Sequence, residues 1–324
     1  MYLSEDEKSY SVWLAAFLSV SAILIILLSS SVITVDPFFH FHKPYIQRFY
    51  YNLNNQRSQN NGILRNFKYN GIITGSSMAE NFKTSEAERF FGGSFIKVAY
   101  SGGSYKEIND NLSTALSHNK DIGVIIRVLD MTRFIDDKDA MREDLGDFPE
   151  YLYDDNPFND VQYILNRDVF FKRVYPMEVQ VKEPDFQPGI TDFDSYSNWM
   201  QYFTFGCKSV YEDTDTIDKC REYSDRARGW DESVILDNIR VFSLNTCAFF
   251  TTDLNNYKDI MHYGEWINSL MLRYIQDGKC ELTLDNYNEY LESEMNLYDS
   301  FDYSALKSQV DYEDDYMAAE MLHG

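Results

Sequence analysis

The chain predicts an α/β fold, a parallel sheet covered by helices, behind an N-terminal membrane-spanning helix. Three observations carry this. Residues 12–35 run without a single charge. Three short apolar stretches, 71–75, 94–101 and 124–130, alternate with two segments of helical spacing. Their interiors are mostly apolar instead of alternating, which suits strands buried on both faces of a parallel sheet.

The N-terminal run reads VWLAAFLSVSAILIILLSSSVITV. As a helix it would reach about 36 Å, enough for a hydrocarbon core of about 30 Å. A core helix would show a polar face, and this run shows only scattered serines. A cleaved leader would start basic, and Glu5-Asp6-Glu7-Lys8 is acidic. The reading is an N-terminal flank (1–11) and an uncleaved single-span anchor (12–35). Lys8 precedes the span, while Lys43, Arg48 and Arg57 follow it. That bias points the downstream chain to the cytoplasm, but long domains cross regardless of charge. Residues 36–51 are dense in Phe and Tyr, as suits headgroup level. Residues 52–61, NLNNQRSQNN, read as polar linker, so 36–61 is expected to be a juxtamembrane linker.

The globular domain is expected over 62–306. Helices are expected at 81–91 and 105–117, between the three strands. Residues 131–235 read as an insertion, rich in Tyr and Phe in its first part. It holds Pro149, Pro157, Pro176, Pro184 and Pro188, with short helices near 138–144 and 158–166. Residues 238–245 (NIRVFSLN) read as the last parallel strand. Residues 266–276 read as an amphipathic helix ended by Gly278, and 284–297 as another. The acidic tail is 307–324.

Charge narrows the partners. The chain has 52 Asp+Glu against 29 Lys+Arg, a formal −23. Such a surface repels nucleic-acid backbones and does not dock on anionic headgroups through charge. Cys207, Cys220, Cys247 and Cys280 form no CxxC pair and no metal spacing. One or two disulfides or free buried thiols both fit them.

The chemistry-bearing stretch is Gly71-Ile72-Ile73-Thr74-Gly75-Ser76-Ser77-Met78. It reads as a buried strand, a tight turn and a helix start. A serine there sits at the carboxyl end of a strand, where open α/β sheets place ligands. Capping serines alone would also account for it. Far downstream comes Asp259-Ile260-Met261-His262. Of five histidines, only His262 follows an expected strand end with an aspartate three residues earlier. Asp259 can fix the imidazole tautomer, and the other ring nitrogen can take a proton from Ser77. The order Ser, Asp, His is that of α/β hydrolytic enzymes.

On these residues the chain resembles the SGNH (GDSL-like) hydrolase family, over about 70–130 and 238–275. Gly75-Ser76-Ser77 looks like the first block, which selects Ser77 as nucleophile. Ser101-Gly102-Gly103 is similar to the second block, where a glycine N–H serves the oxyanion hole. Asp259 and His262 match the last block, D-x-x-H. The resemblance implies a three-layer α/β/α fold with flavodoxin-like strand order. It implies serine-based ester cleavage or acyl transfer, with no metal and no cofactor. Together with the anchor, it resembles bacterial enzymes that move or remove acyl esters on surface polysaccharide or related polymers outside the membrane. The stretches 81–83 and 262–266 look like such an anchored subgroup.

Two departures stand out. The third block usually supplies an Asn donor to the oxyanion, and Asp130 stands there; an ionised carboxylate has no donor. The remaining donors are then the backbone N–H groups of Ser77 and of Gly102 or Gly103. The family also has five parallel strands, and this chain shows four, with no apolar run in 206–235. These departures leave a second expectation open: a non-catalytic, anchored binding or scaffold protein in surface-polymer assembly.

Overall fold

The computed structural model describes residues 5–46, 48–130, 141, 148–181, 193–194 and 239–306. The expected helix at 138–144, apart from Met141, the charged stretch 206–235 and the acidic tail lie outside the described residues. Two compact units result: Met1–Phe67 with Gly146–Asp192, and Lys68–Leu145 with Phe193–Gly324.

The first unit begins with helix α1 (Glu5–Val35). Its stretch Ser9–Val35, 27 residues, is long and apolar enough to cross a membrane. Leader sequences share that length and composition. An anchor is expected to stay in the membrane pellet through alkaline carbonate extraction, with residues 1–35 present in the intact mass. Release of a shortened chain would mark a leader instead.

Residues 52–61 are not a linker. They run into helix α2 (Gln56–Asn66), and Gln59, Asn60 and Asn61 are buried. The amides looked solvent-facing in sequence, but they satisfy backbone carbonyls that water cannot reach. Gln59 Nε2 donates to Pro37 O (3.1 Å) and Asn52 O (2.8 Å), and Asn61 Nδ2 to Leu152 O. Gly62 lets α2 approach the backbone of Phe38 and Phe39; a Cβ there would lie 2.4 Å from Phe39 O. The segment after α1 is gathered by Asp36, fully buried with φ 47°. Its carboxylate accepts from the N–H groups of His40 (3.0 Å), Phe41 (2.7 Å) and His42 (2.9 Å), and from Tyr163 O–H (2.8 Å). Tyr163 lies on the short helix Val161–Ile164, inside the expected 158–166, and stacks on Phe38.

The second unit holds a parallel sheet. Strand β1 (Gly71–Gly75) is fully buried and leads through a 3-10 turn (Ser77–Ala79) to helix α3 (Thr84–Phe91). Strand β2 (Phe95–Ala99), helix α4 (Tyr105–His118) and strand β3 (Val124–Arg127) follow. Among the described residues the sheet has three strands in the order β2-β1-β3, both pairings parallel. Ile73, Phe82, Ala87 and Phe95 pack with Leu272, so α3 and a later helix cover one face.

The expected fourth parallel strand is corrected. Strand β4 (Val241–Phe242) pairs antiparallel with β5 (Glu281–Leu282), in a separate two-stranded ladder. Between them lies helix α5 (Glu265–Asp277), closed by Gly278 at φ 68°. The chain then reverses through Cys280 at φ 58°, and Ser243 N donates to Cys280 O. Arg240 forks onto Glu281 at 2.8 and 2.7 Å. An apolar run reports a strand, but its neighbour is set by where the chain turns back. Helix α6 (Tyr287–Ser300) follows, and beyond it Leu306 packs on Leu254. Cys247 and Cys280 are free thiols with sulfurs 3.5 Å apart.

Candidate active site

The first part of the site is built by the end of β1. Gly75 has φ 153°, and a Cβ there would meet Val128 Cβ at 2.9 Å. The strand therefore turns where only glycine fits, and Ser76 and Ser77 follow. Ser76 is buried, and its Oγ has no partner among the described residues. Ser77 opens the 3-10 turn, and its Oγ lies 2.8 Å from His262 Nε2. The sheet thus separates the two serines, one inward and one onto the imidazole.

The second part is a tight loop, not the helical turn that D-x-x-H also permits. Tyr257 and Tyr263 form an antiparallel bridge, and Lys258 N donates to His262 O at 3.0 Å. Gly264 N closes the base on Asn256 O at 2.9 Å. Asp259 fills the loop: its Oδ1 accepts from Met261 N (2.8 Å) and His262 N (2.7 Å). The same carboxylate meets His262 Nδ1, at 2.7 Å from Oδ2. One side chain therefore both shapes the loop and orients the ring. Nδ1–H pointing to the carboxylate leaves Nε2 as acceptor for the Ser77 hydroxyl.

Burial works against an ionised Asp259, yet the His262 hydrogen bond and charge, the Lys258 ammonium and the His262 N–H outweigh it. The carboxyl is held well below its usual range. Its contribution to stability is full above the ordinary carboxylate value, about 3.9, and is lost below it as pH falls toward the depressed folded value.

Lys258 is a residue that sequence reading missed. Its Nζ lies 2.7 Å from Asp259 Oδ2, and both side chains are mostly buried. The ammonium shares the carboxylate oxygen Oδ2 with the imidazole. Replacing Lys258 with Met is expected to lower kcat/KM for an acetyl ester about tenfold, because it loosens the carboxylate that orients the imidazole. Arginine should restore the native kcat/KM, and an unchanged kcat/KM in the folded Met variant would remove this role.

Two further side chains hold the serine turn. Lys97, the single charge inside β2, donates from Nζ to Glu80 O (2.5 Å) and Phe82 O (2.9 Å). Asn268 on α5 donates to Met78 O at 3.1 Å. Lys83 pairs with Glu265 at 3.2 Å, joining the start of α3 to the start of α5. A lysine in an otherwise apolar strand was the visible signal for Lys97. Nothing in the pattern marked Asn268.

The oxyanion donors divide. Tyr100 N donates to Gly75 O at 3.0 Å, so the turns after β1 and β2 leave one edge of the sheet side by side. Gly103 N donates to Tyr100 O at 2.9 Å. That N–H is committed to the turn, which corrects the expectation that Gly103 could serve as well as Gly102. Gly102, at φ 62°, and Ser77 remain as donors outside the turn bonds of the described residues. Ser104 is a helix cap, in a reciprocal capping box with Glu107. The Asp130 carbonyl accepts from Tyr105 O–H at 3.2 Å, and Arg127 lies over the Tyr105 ring and bonds Asn109. These bonds tie the end of β3 to α4; they put no donor at position 130.

Among the described residues no cluster of His, Cys, Asp and Glu has the makings of a metal site. No family model, curated protein or solved structure matches this chain.

Proposed function

We propose that the protein is a membrane-anchored serine esterase or O-acyltransferase acting on acyl esters of a surface polysaccharide or related polymer. The observation that carries this is the hydrogen-bonded line Ser77 Oγ, His262 Nε2, His262 Nδ1, Asp259. Ser77 attacks the ester carbonyl while His262 takes its proton and then passes it to the leaving alcohol. Asp259 holds the tautomer and steadies the imidazolium. The Ser77 and Gly102 N–H groups supply the oxyanion donors. Water completes hydrolysis; a sugar hydroxyl completes transfer. The parallel order of β1 to β3 and the blocks at 75–77, 101–103 and 259–262 support an SGNH-type three-layer fold. The apolar α1 supports a single-pass anchor; the placement of the domain outside the cytoplasm rests on the resemblance to surface-polymer enzymes alone, against the weak charge bias of the flanks.

A fluorophosphonate probe tests it. The expected product is a single adduct on the peptide carrying Ser77, absent after His262→Ala. Asp130, with no donor for the oxyanion, favours the second reading, an inactive anchored binding protein. That reading predicts no adduct under conditions that label a control serine esterase.

A further inference from the structure

The first unit carries an apolar stripe that its core does not use. Residues Arg167–Gln180 form one helical run, its middle, Phe170–Val174, wound as a π-helix. Val169, Val174 and Met177 are buried. Phe171, Tyr175 and Val179, each four residues after the last, line another face. Phe171 is 55% exposed and Tyr175 52%. In the segment just before, Phe158, Val161 and Leu165 are exposed as well. A helix with apolar side chains on two faces is enclosed by protein or in contact with lipid.

The depth of this stripe follows from α1. Within Ser9–Val35 only Val32 and Val35 are buried, so the unit packs on the C-terminal end of that helix and leaves the rest bare. Phe170–Val174 is one of the segments that packs on it. At the other end Tyr10, Trp13 and Phe17 form an exposed aromatic ladder, with Trp13 and Phe17 stacked at 5.6 Å. Such rings mark a membrane–water boundary. A hydrocarbon core of about 30 Å takes about 20 helical residues. Counted from Trp13, that puts the second boundary at Ile33, level with Val32 and Val35. The chain leaving α1 stays at this level. His42 Nε2 donates to Ile33 O at 2.9 Å, and the exposed Tyr45 lies against the His42 ring.

The composition of the run suits this boundary and not the acyl interior. Arg167, Asp168 and Lys172 are exposed on it, and Arg173 and Glu178 are half-buried. Lys172 pairs with Asp168 at 2.7 Å. Such charges are costly in hydrocarbon. At headgroup level the lysine and arginine stems cover apolar surface while their ends stay in water. Tyr175 has an apolar ring and a polar tip, which suits the same depth. A second copy of the chain is the other candidate cover. Lipid is favoured because the bilayer that surrounds α1 ends at the height where the run packs.

We propose that the stripe of Phe171, Tyr175 and Val179 is a second membrane contact, seated on neutral phospholipid at the headgroup–acyl boundary beside α1. It depends on the anchor reading of α1 and not on the esterase reading, and it holds for either orientation of the anchor. The formal −23 of the chain calls for a zwitterionic lipid in the test. The full chain, with benzoylphenylalanine in place of Phe171, is reconstituted in phosphatidylcholine vesicles and irradiated. A second preparation carries the same photolabel in place of Phe17. The photolabel adds across an acyl C–H bond with no leaving group. The expected product is therefore a peptide carrying residue 171 and one whole lipid, in a yield within about threefold of that at residue 17. A lipid adduct at residue 17 with none at residue 171 overturns the proposal and leaves the anchor standing. So does a residue 171 product that joins only two copies of the chain or two segments of one copy. No lipid adduct at residue 17 ends the anchor reading and the proposal with it.

Discussion

Replacing Ser77 with alanine is expected to lower turnover of a small acetyl ester by about 10⁴–10⁶-fold. The hydroxyl is the only part of that side chain the chemistry uses, and its Oγ lies 2.8 Å from His262 Nε2. The turn itself should persist. It is held by Gly75, by Lys97 on the carbonyls of Glu80 and Phe82, and by Asn268 on Met78 O. A folded, inactive protein is therefore the expected product. His262→Ala should match it, and the double variant should be no worse, since a nucleophile without its base gains nothing from either. Asp259→Asn should cost about 10⁴-fold, as expected when an orienting carboxylate becomes an amide. The amide would offer an N–H where Nδ1–H needs an acceptor, and Lys258 would lose its carboxylate. Turnover of Ser77→Ala within tenfold of native would end the serine mechanism.

The second large effect lies in the other unit. Asp36→Ala is expected to destabilise the protein by at least about 3 kcal/mol, because each orphaned buried donor costs about 1–3 kcal/mol. Three backbone N–H groups and the Tyr163 hydroxyl converge on this carboxylate, which has no exposure to solvent. Burial pushes its pKa up, against the hydrogen bonds that favour the ionised form. Alanine also loses the short polar side chain that makes φ 47° tolerable. Asp36→Asn should fall between, since an amide has one acceptor atom for two sets of donors. Thermal unfolding followed by tyrosine fluorescence reads the loss. A melting point within about 2 °C of native for Asp36→Ala would show that these bonds hold nothing together.

The legible part of the site had a common character. Ser77, Asp259 and His262 each sit at the end of a local pattern: apolar strand then Gly-Ser-Ser, or D-x-x-H before an amphipathic helix. Such patterns report direction along one element. Lys258 was hidden because a lysine beside an aspartate reads as two solvated charges. Only the closed loop, with Gly264 on Asn256, turns its ammonium back onto Asp259. Gly102 and Gly103 were indistinguishable as neighbours, and a single turn bond to Tyr100 O separates them.

The fold divides along the same line. The apolar length of α1, the alternation β1-α3-β2-α4-β3 and the stop of α5 at Gly278 were determined by the residues alone. Each rests on periodicity, helix length or a cap, which act over a few neighbours. The partner of β4, the burial of Gln59 and Asn61, and the meeting of Ser77 with His262 across 185 residues were decided only in three dimensions. A side chain's spacing tells which way it faces, but a hydrogen bond also needs the second group. What brings that group within 3 Å is the packing of segments that share no local pattern.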